Sequence, residues 1–120
     1  MTPFGKKIRQ LRKDKGINQK QMAADLGVSP AYLSALEHGH RGAPSWAMVQ
    51  RVISYFHLIW DDAEEIEQLA RLSHPKITID TSGVSAEAVA LINQMARKIR
   101  TLSLSRIEEL SELLDKKEGR

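Results

Sequence analysis

Four histidines (His38, His40, His57 and His74) and the carboxylate pairs Asp61-Asp62 and Glu64-Glu65 are the side chains of this 120-residue chain best suited to bind a metal or shuttle protons. Their spacing suits neither task. His38-x-His40 has no carboxylate at ligand spacing, and the chain has no cysteine, which excludes thiolate zinc, iron-sulfur clusters, disulfide scaffolds and cysteine nucleophiles. The paired acids precede an apolar stripe, where they complement the positive end of a helix dipole. No nucleophile-base set and no glycine-rich phosphate loop occurs, so no catalytic residue, metal or cofactor is expected. The remaining chemistry is recognition of a polyanion. Residues 1–60 carry nine Lys/Arg against three Asp/Glu, net +6, while residues 61–120 carry nine against twelve, net −3, which together give +3. A polyanionic partner therefore belongs to the first half.

Positioning these charges requires helices. Phe4, Ile8 and Leu11 recur at helical spacing, with Lys6, Lys7, Arg9, Arg12, Lys13 and Lys15 between them, which predicts a basic amphipathic helix ending near Gly16. Asn18 can cap a second helix through Met22, Ala23 and Leu26, stopped by Gly27. Ser29-Pro30 opens a third through Tyr32, Leu33, Leu36 and Glu37, which Gly39 ends. Ser45 caps a fourth helix carrying Trp46, Val49, Val52, Ile53 and Phe56, and a fifth runs roughly from Asp61 to Leu72, burying Ile66, Leu69 and Leu72. Trp46, Phe56 and Trp60 are expected to pack in the core.

The segment from Asn18 to Gly39 resembles the Cro/C1-type (lambda-repressor-like, XRE family) helix-turn-helix. The small Ala23, the turn Gly27, the cap Ser29, the apolar Leu26, Val28, Leu33 and Leu36, and the closing Glu37-x-Gly39 fall in its register. The resemblance spans about residues 4–72 and implies an all-α, five-helix DNA-binding domain that is not an enzyme. It implies that the third helix, Ser29 to His38, lies in the major groove of double-stranded DNA. With Leu33 and Leu36 inward, Pro30, Ala31, Ser34, Ala35 and His38 face the base edges. The resemblance also gives Gln19 a bond to the DNA backbone. Further sugar-phosphate contacts fall to Asn18, Ser29, Tyr32, Ser34, His38, His40 and Arg41, and Arg12 pairs with Glu37 in a partly buried structural ion pair.

Ser73-His-Pro-Lys marks the end of this domain at residue 72, and a linker over 73–84 includes Ile77 to Asp80, which alternates like a short strand. The segment 85–120 then predicts two amphipathic helices, one capped by Ser85 and one opened by the capping box Ser105-x-x-Glu108. Their stripes, Val89, Ile92, Met95, Ala96, Ile99 and Leu102, then Ile107, Leu110 and Leu114, are too short of chain for a core of their own. They are expected to dimerise, so that two recognition helices meet a palindromic operator and the homodimer acts as a transcriptional repressor or regulator. The alternatives are an antitoxin whose second segment covers a toxin, or a protein-interaction adaptor whose helix-turn-helix serves a partner protein; a protein partner would be a toxin or a regulator. No signal-peptide core and no run near the roughly 18 apolar residues of a membrane span is present, which points to the cytoplasm, at the nucleoid. Lys116 to Arg120 are expected to fray.

Overall fold

The computed structural model describes residues 1–116. It contains seven α-helices: α1 Pro3–Lys15, α2 Gln19–Leu26, α3 Pro30–His38, α4 Trp46–Tyr55, α5 Trp60–Arg71, α6 Ala86–Lys98 and α7 Leu104–Asp115, with a 3₁₀ turn at Ile99–Thr101. The chain divides into two compact units, Met1–Thr78 and the part from Ile79 onward. The fraying expected of Lys116 to Arg120 falls, past Lys116, outside the described residues.

In the first unit α1 to α4 each start on a side-chain cap, while α5 follows Ile59 without one. Thr2, Asn18, Ser29 and Ser45 accept from the backbone N–H of Gly5, Gln21, Tyr32 and Met48, relieving donors that no helical carbonyl can reach. The core takes Phe4 and Ile8 from α1, Met22, Ala23 and Leu26 from α2, Leu33 and Leu36 from α3, Met48, Val49 and Val52 from α4, Phe56 just beyond it, and Ile66 and Ala70 from α5. Two side-chain bonds tie α2 to α4. Tyr55 Oη donates to Asp25 at 2.6 Å, and an Arg51 N–H reaches the carbonyl of Leu26. Burial, the hydrogen bond to Asp25 and the charge of Asp25 push the Tyr55 phenol up to about 12, so it stays a neutral donor near neutral pH.

Several expectations are corrected. Trp46 and Trp60 are 66% and 85% exposed, and of the three aromatics expected in the core only Phe56 is buried. Trp46 is the first residue of α4, and a helical side chain leans toward the N-terminus, so its indole extends past the end of the core. Trp60 has φ of 51°, a left-handed conformation that turns it away at the sharp entry to α5. Leu72 is also exposed, because α5 stops at Arg71. The residue after it, Ser73, is buried: its Oγ accepts from Phe4 N at 2.9 Å and donates to the carbonyl of Leu69 at 2.6 Å. The end of α5 thus closes the start of α1.

No strand forms among the described residues. Ile77 to Asp80 takes up no regular secondary structure, and the Asp80 carboxylate bonds the backbone and side chain of Ser82 in a tight turn, which holds it below the usual carboxylate range. In the second unit α6 starts on Ser85 as expected, but α7 starts on Ser103, whose Oγ accepts from Arg106 N at 3.2 Å. Ser105 therefore lies inside the helix, two residues past the cap. Neither helix buries any residue. Val89, Ile92, Met95, Leu102 and Leu110 are half-covered, while Ile99, Ile107 and Leu114 are exposed, joined by Leu104 and Leu113.

Candidate nucleic-acid interface

The α2–α3 corner depends on a close helix approach and a sharp turn. Ala23 is fully buried where a larger side chain would separate the helices. Gly27 has φ of 73°, a region that L side chains rarely enter, and it lets Val28 N reach back to the carbonyl of Ala23 at 2.9 Å. Ser29 then caps α3. With Leu33 and Leu36 held in the core, α3 turns Pro30, Ala31 and His38 fully outward and leaves Ser34 and Ala35 half-covered.

The C-terminal end of α3 and the loop after it form a cluster. His38 Nδ1 lies 2.9 Å from the carbonyl of Ser34, which leaves Nε2 as the ring nitrogen available to a ligand. The His38 ring stacks on His40, with centroids 5.8 Å apart. The guanidinium of Arg41 sits 5.3 Å from the centre of the Tyr32 ring, a cation-π arrangement that holds a loop cation beside the helix. Asn18 and Ser29 use their side-chain oxygens as caps, at 2.7 Å and 3.0 Å, which leaves the amide N–H groups and the hydroxyl hydrogen outside those bonds.

Beneath this surface Glu37 is buried with 1% exposure. Arg12 Nη2 donates to Oε1 at 3.0 Å and to Oε2 at 2.9 Å, and Gln19 Nε2 donates to Oε1 at 3.1 Å. Arg12 is itself buried, and its Nε is left without a partner. A groove beside the pair is bounded by Met1, Arg9, Arg12, Gln19, Ser34, Glu37 and His38. Arg9 was not among the sequence candidates; its signal is the three-residue step to Arg12, which puts both on one side of α1. His57 and His74 do not join the His38-His40 pair in any cluster that could hold a metal among the described residues.

A model of the helix-turn-helix family matches residues 8–58. SinR, an HTH-type transcriptional regulator of Bacillus subtilis (strain 168), is 33% identical over 90 residues, covering 68% of this chain and 81% of SinR. The chain belongs to the helix-turn-helix transcriptional regulators. A second relative in the same organism, named as the uncharacterized HTH-type transcriptional regulator RghRB, is 27% identical over 126 aligned positions, covering 96% of this chain and 91% of that protein. The HTH-type transcriptional repressor RghR, also from that organism, is 36% identical over 52 residues, 43% of this chain and 38% of its own. No solved structure matches the chain.

Membership makes this a DNA-binding regulator and not an enzyme, with the all-helical, lambda-repressor-like arrangement expected from the corner. The matched region runs from Ile8 to Leu58 and so contains the whole corner, the Arg12-Glu37 pair and α4. In helix-turn-helix proteins generally, the second helix of the motif is the one that enters the major groove. Among the described residues, no helix is long and apolar enough to cross a membrane.

Proposed function

We propose that the protein is a cytoplasmic transcriptional repressor that binds a palindromic operator as a homodimer. The observation that carries this reading is the pairing of an outward-facing α3 in one unit with two helices in the other whose apolar stripes no residue of the same unit buries. A single α3 offers few base contacts. Two of them, joined by helices that cover each other's stripes, would sit about 34 Å apart on one face of the duplex and double the readout. In the proposed complex Pro30, Ala31, Ser34, Ala35 and His38 face the bases. Ala31 and Ala35 suit thymine methyls, while Ser34 and His38 supply hydrogen bonds. Asn18, Gln19, Ser29, Tyr32, His40 and Arg41 hold the backbone.

Selection of bound duplexes from a random pool, with the mass of the complex measured in solution, tests the whole reading. An enriched palindrome carrying two chains per duplex supports it. A wild-type monomer, or no enrichment at low salt, sinks it and transfers the uncovered faces of α6 and α7 to a foreign protein such as a toxin.

Two substitutions separate anchoring from readout. Gln19→Ala removes a donor to the backbone and is expected to weaken every duplex by a similar factor, about tenfold. Ala31→Gln places an amide on the base-facing stripe and is expected to reorder the preferred sequences, with about 1–3 kcal/mol of discrimination at the base pair it reaches. Competition binding across a panel of duplexes reads both effects; a uniform loss for Ala31→Gln would show α3 to be oriented differently. Joint replacement of Ile92 and Ile99 by Asp should give monomers by light scattering. It should also lower operator affinity about 100-fold, because the second module no longer binds from a tethered position. Ile99 is 48% exposed and Ile92 half-covered in the single chain, neither of them buried, so unchanged dimers would put the interface elsewhere.

A further inference from the structure

We propose that Glu37 is a positioning residue for DNA binding: its buried carboxylate fixes the orientation of the Gln19 amide, so that one N–H of that amide is presented to a phosphate of the duplex. The inference rests on the reading of Gln19 as a DNA-backbone contact. A carboxylate can only accept, so the amide of Gln19 must turn Nε2, not Oε1, toward Glu37, and the 3.1 Å bond to Glu37 Oε1 uses one of its two hydrogens. The second hydrogen is directed away from Glu37. Gln19 is the first residue of α2, is only half-buried, and bounds the groove shared with Arg9, Ser34 and His38, where that donor meets solvent or a ligand.

Two physical consequences follow. A free glutamine would lose rotamer freedom on docking, and the bond to Glu37 removes that loss before DNA arrives. A lone carboxylate close to a phosphate would repel it, and the two bonds from Arg12 Nη2 neutralise the charge where it stands. The ion pair thus orients a neutral donor without adding net charge to the surface.

The test is a cycle of DNA affinities on the full chain, using the duplex enriched from the random pool. Arg12→Met combined with Glu37→Met exchanges the pair for apolar side chains and removes one charge of each sign, leaving the net charge unaltered. Gln19→Ala is expected to weaken binding about tenfold in the native chain and less than about twofold in the exchanged chain, because there the amide is no longer held. A tenfold loss in both chains overturns the proposal and leaves Glu37 a purely structural anion. A DNA-free measurement stands beside it. The side-chain amide protons of Gln19 should exchange with water more slowly than those of the exposed Gln68 in the native chain, a comparison that holds even if the exchanged chain fails to fold. Equal exchange at Gln19 and Gln68 overturns the proposal. A protected Gln19 amide together with unchanged DNA binding in native Gln19→Ala overturns the backbone contact, and the proposal with it, while leaving the amide orientation intact.

Discussion

Glu37→Ala is expected to lower the stability of the first unit by about 3–5 kcal/mol. The cost comes from what remains. Arg12 is 9% exposed, and with the carboxylate gone its Nη2 loses both acceptors while its Nε already has none. A charged guanidinium would then sit in a low-dielectric site without a counter-charge, which is far worse than never having had the pair. For a module of this size about 1 kcal/mol shifts the melting temperature by roughly 4–8 °C, so thermal melts followed by far-ultraviolet circular dichroism should show a fall of at least about 12 °C. Arg12→Met with Glu37→Met should melt within a few degrees of the native chain. A small shift for Glu37→Ala alone would mean that Arg12 swings into the adjoining groove and solvates itself.

Gly5→Ala should be nearly as damaging, for a steric reason. A Cβ on Gly5 would lie 2.0 Å from the carbonyl oxygen of Glu37 and 2.7 Å from its Cα. Both obstacles are backbone, so no rotamer change relieves the overlap and α1 must move off α3. That shift breaks the bond from Thr2 N to the Glu37 carbonyl, 3.1 Å long, and disturbs the Thr2 cap on Gly5. Alanine in place of glycine within a helix would otherwise gain about 1 kcal/mol. The overlap wins, with an expected net loss of about 2–3 kcal/mol. Urea unfolding checks the sign, and a midpoint at or above that of the native chain would show that the helices are not in backbone contact at Gly5.

Both effects converge on one residue, and they differ in how far they could be read from the chain. That Arg12 and Glu37 should pair followed from the family resemblance, because the pair belongs to the pattern that marks the corner. The approach of Gly5 to the Glu37 carbonyl depends on how α1 crosses α3, which no local spacing encodes. The caps were legible because a Ser, Thr or Asn acts on an N–H only three residues away. The tryptophans were not, since a period of three and four says which side of a helix is apolar but not where along its length the core stops. Ile77 to Asp80 has the alternation of a strand, but a strand also needs a pairing neighbour, which is a property of the rest of the chain. Ser105 matched a capping box, yet Ser103, two residues earlier, holds the backbone N–H of Arg106. The Gln19–Glu37 bond was missed because a surface glutamine at a helix start already had a use.

Ser73 gives the first unit a different kind of boundary. Its hydroxyl accepts the N–H of Phe4 while the neighbouring Thr2 N–H bonds the end of α3, so the start of α1 and the residues just past α5 meet. Topologically the module is almost a ring. Its five helices could be read in the same circular order from another starting point, with the chain opened in the exposed stretch around His40 and Arg41 and joined across the seam at Ser73. Conversely, a fragment cut after Leu72 keeps every helix of the module but opens the ring at the hydroxyl that closes it.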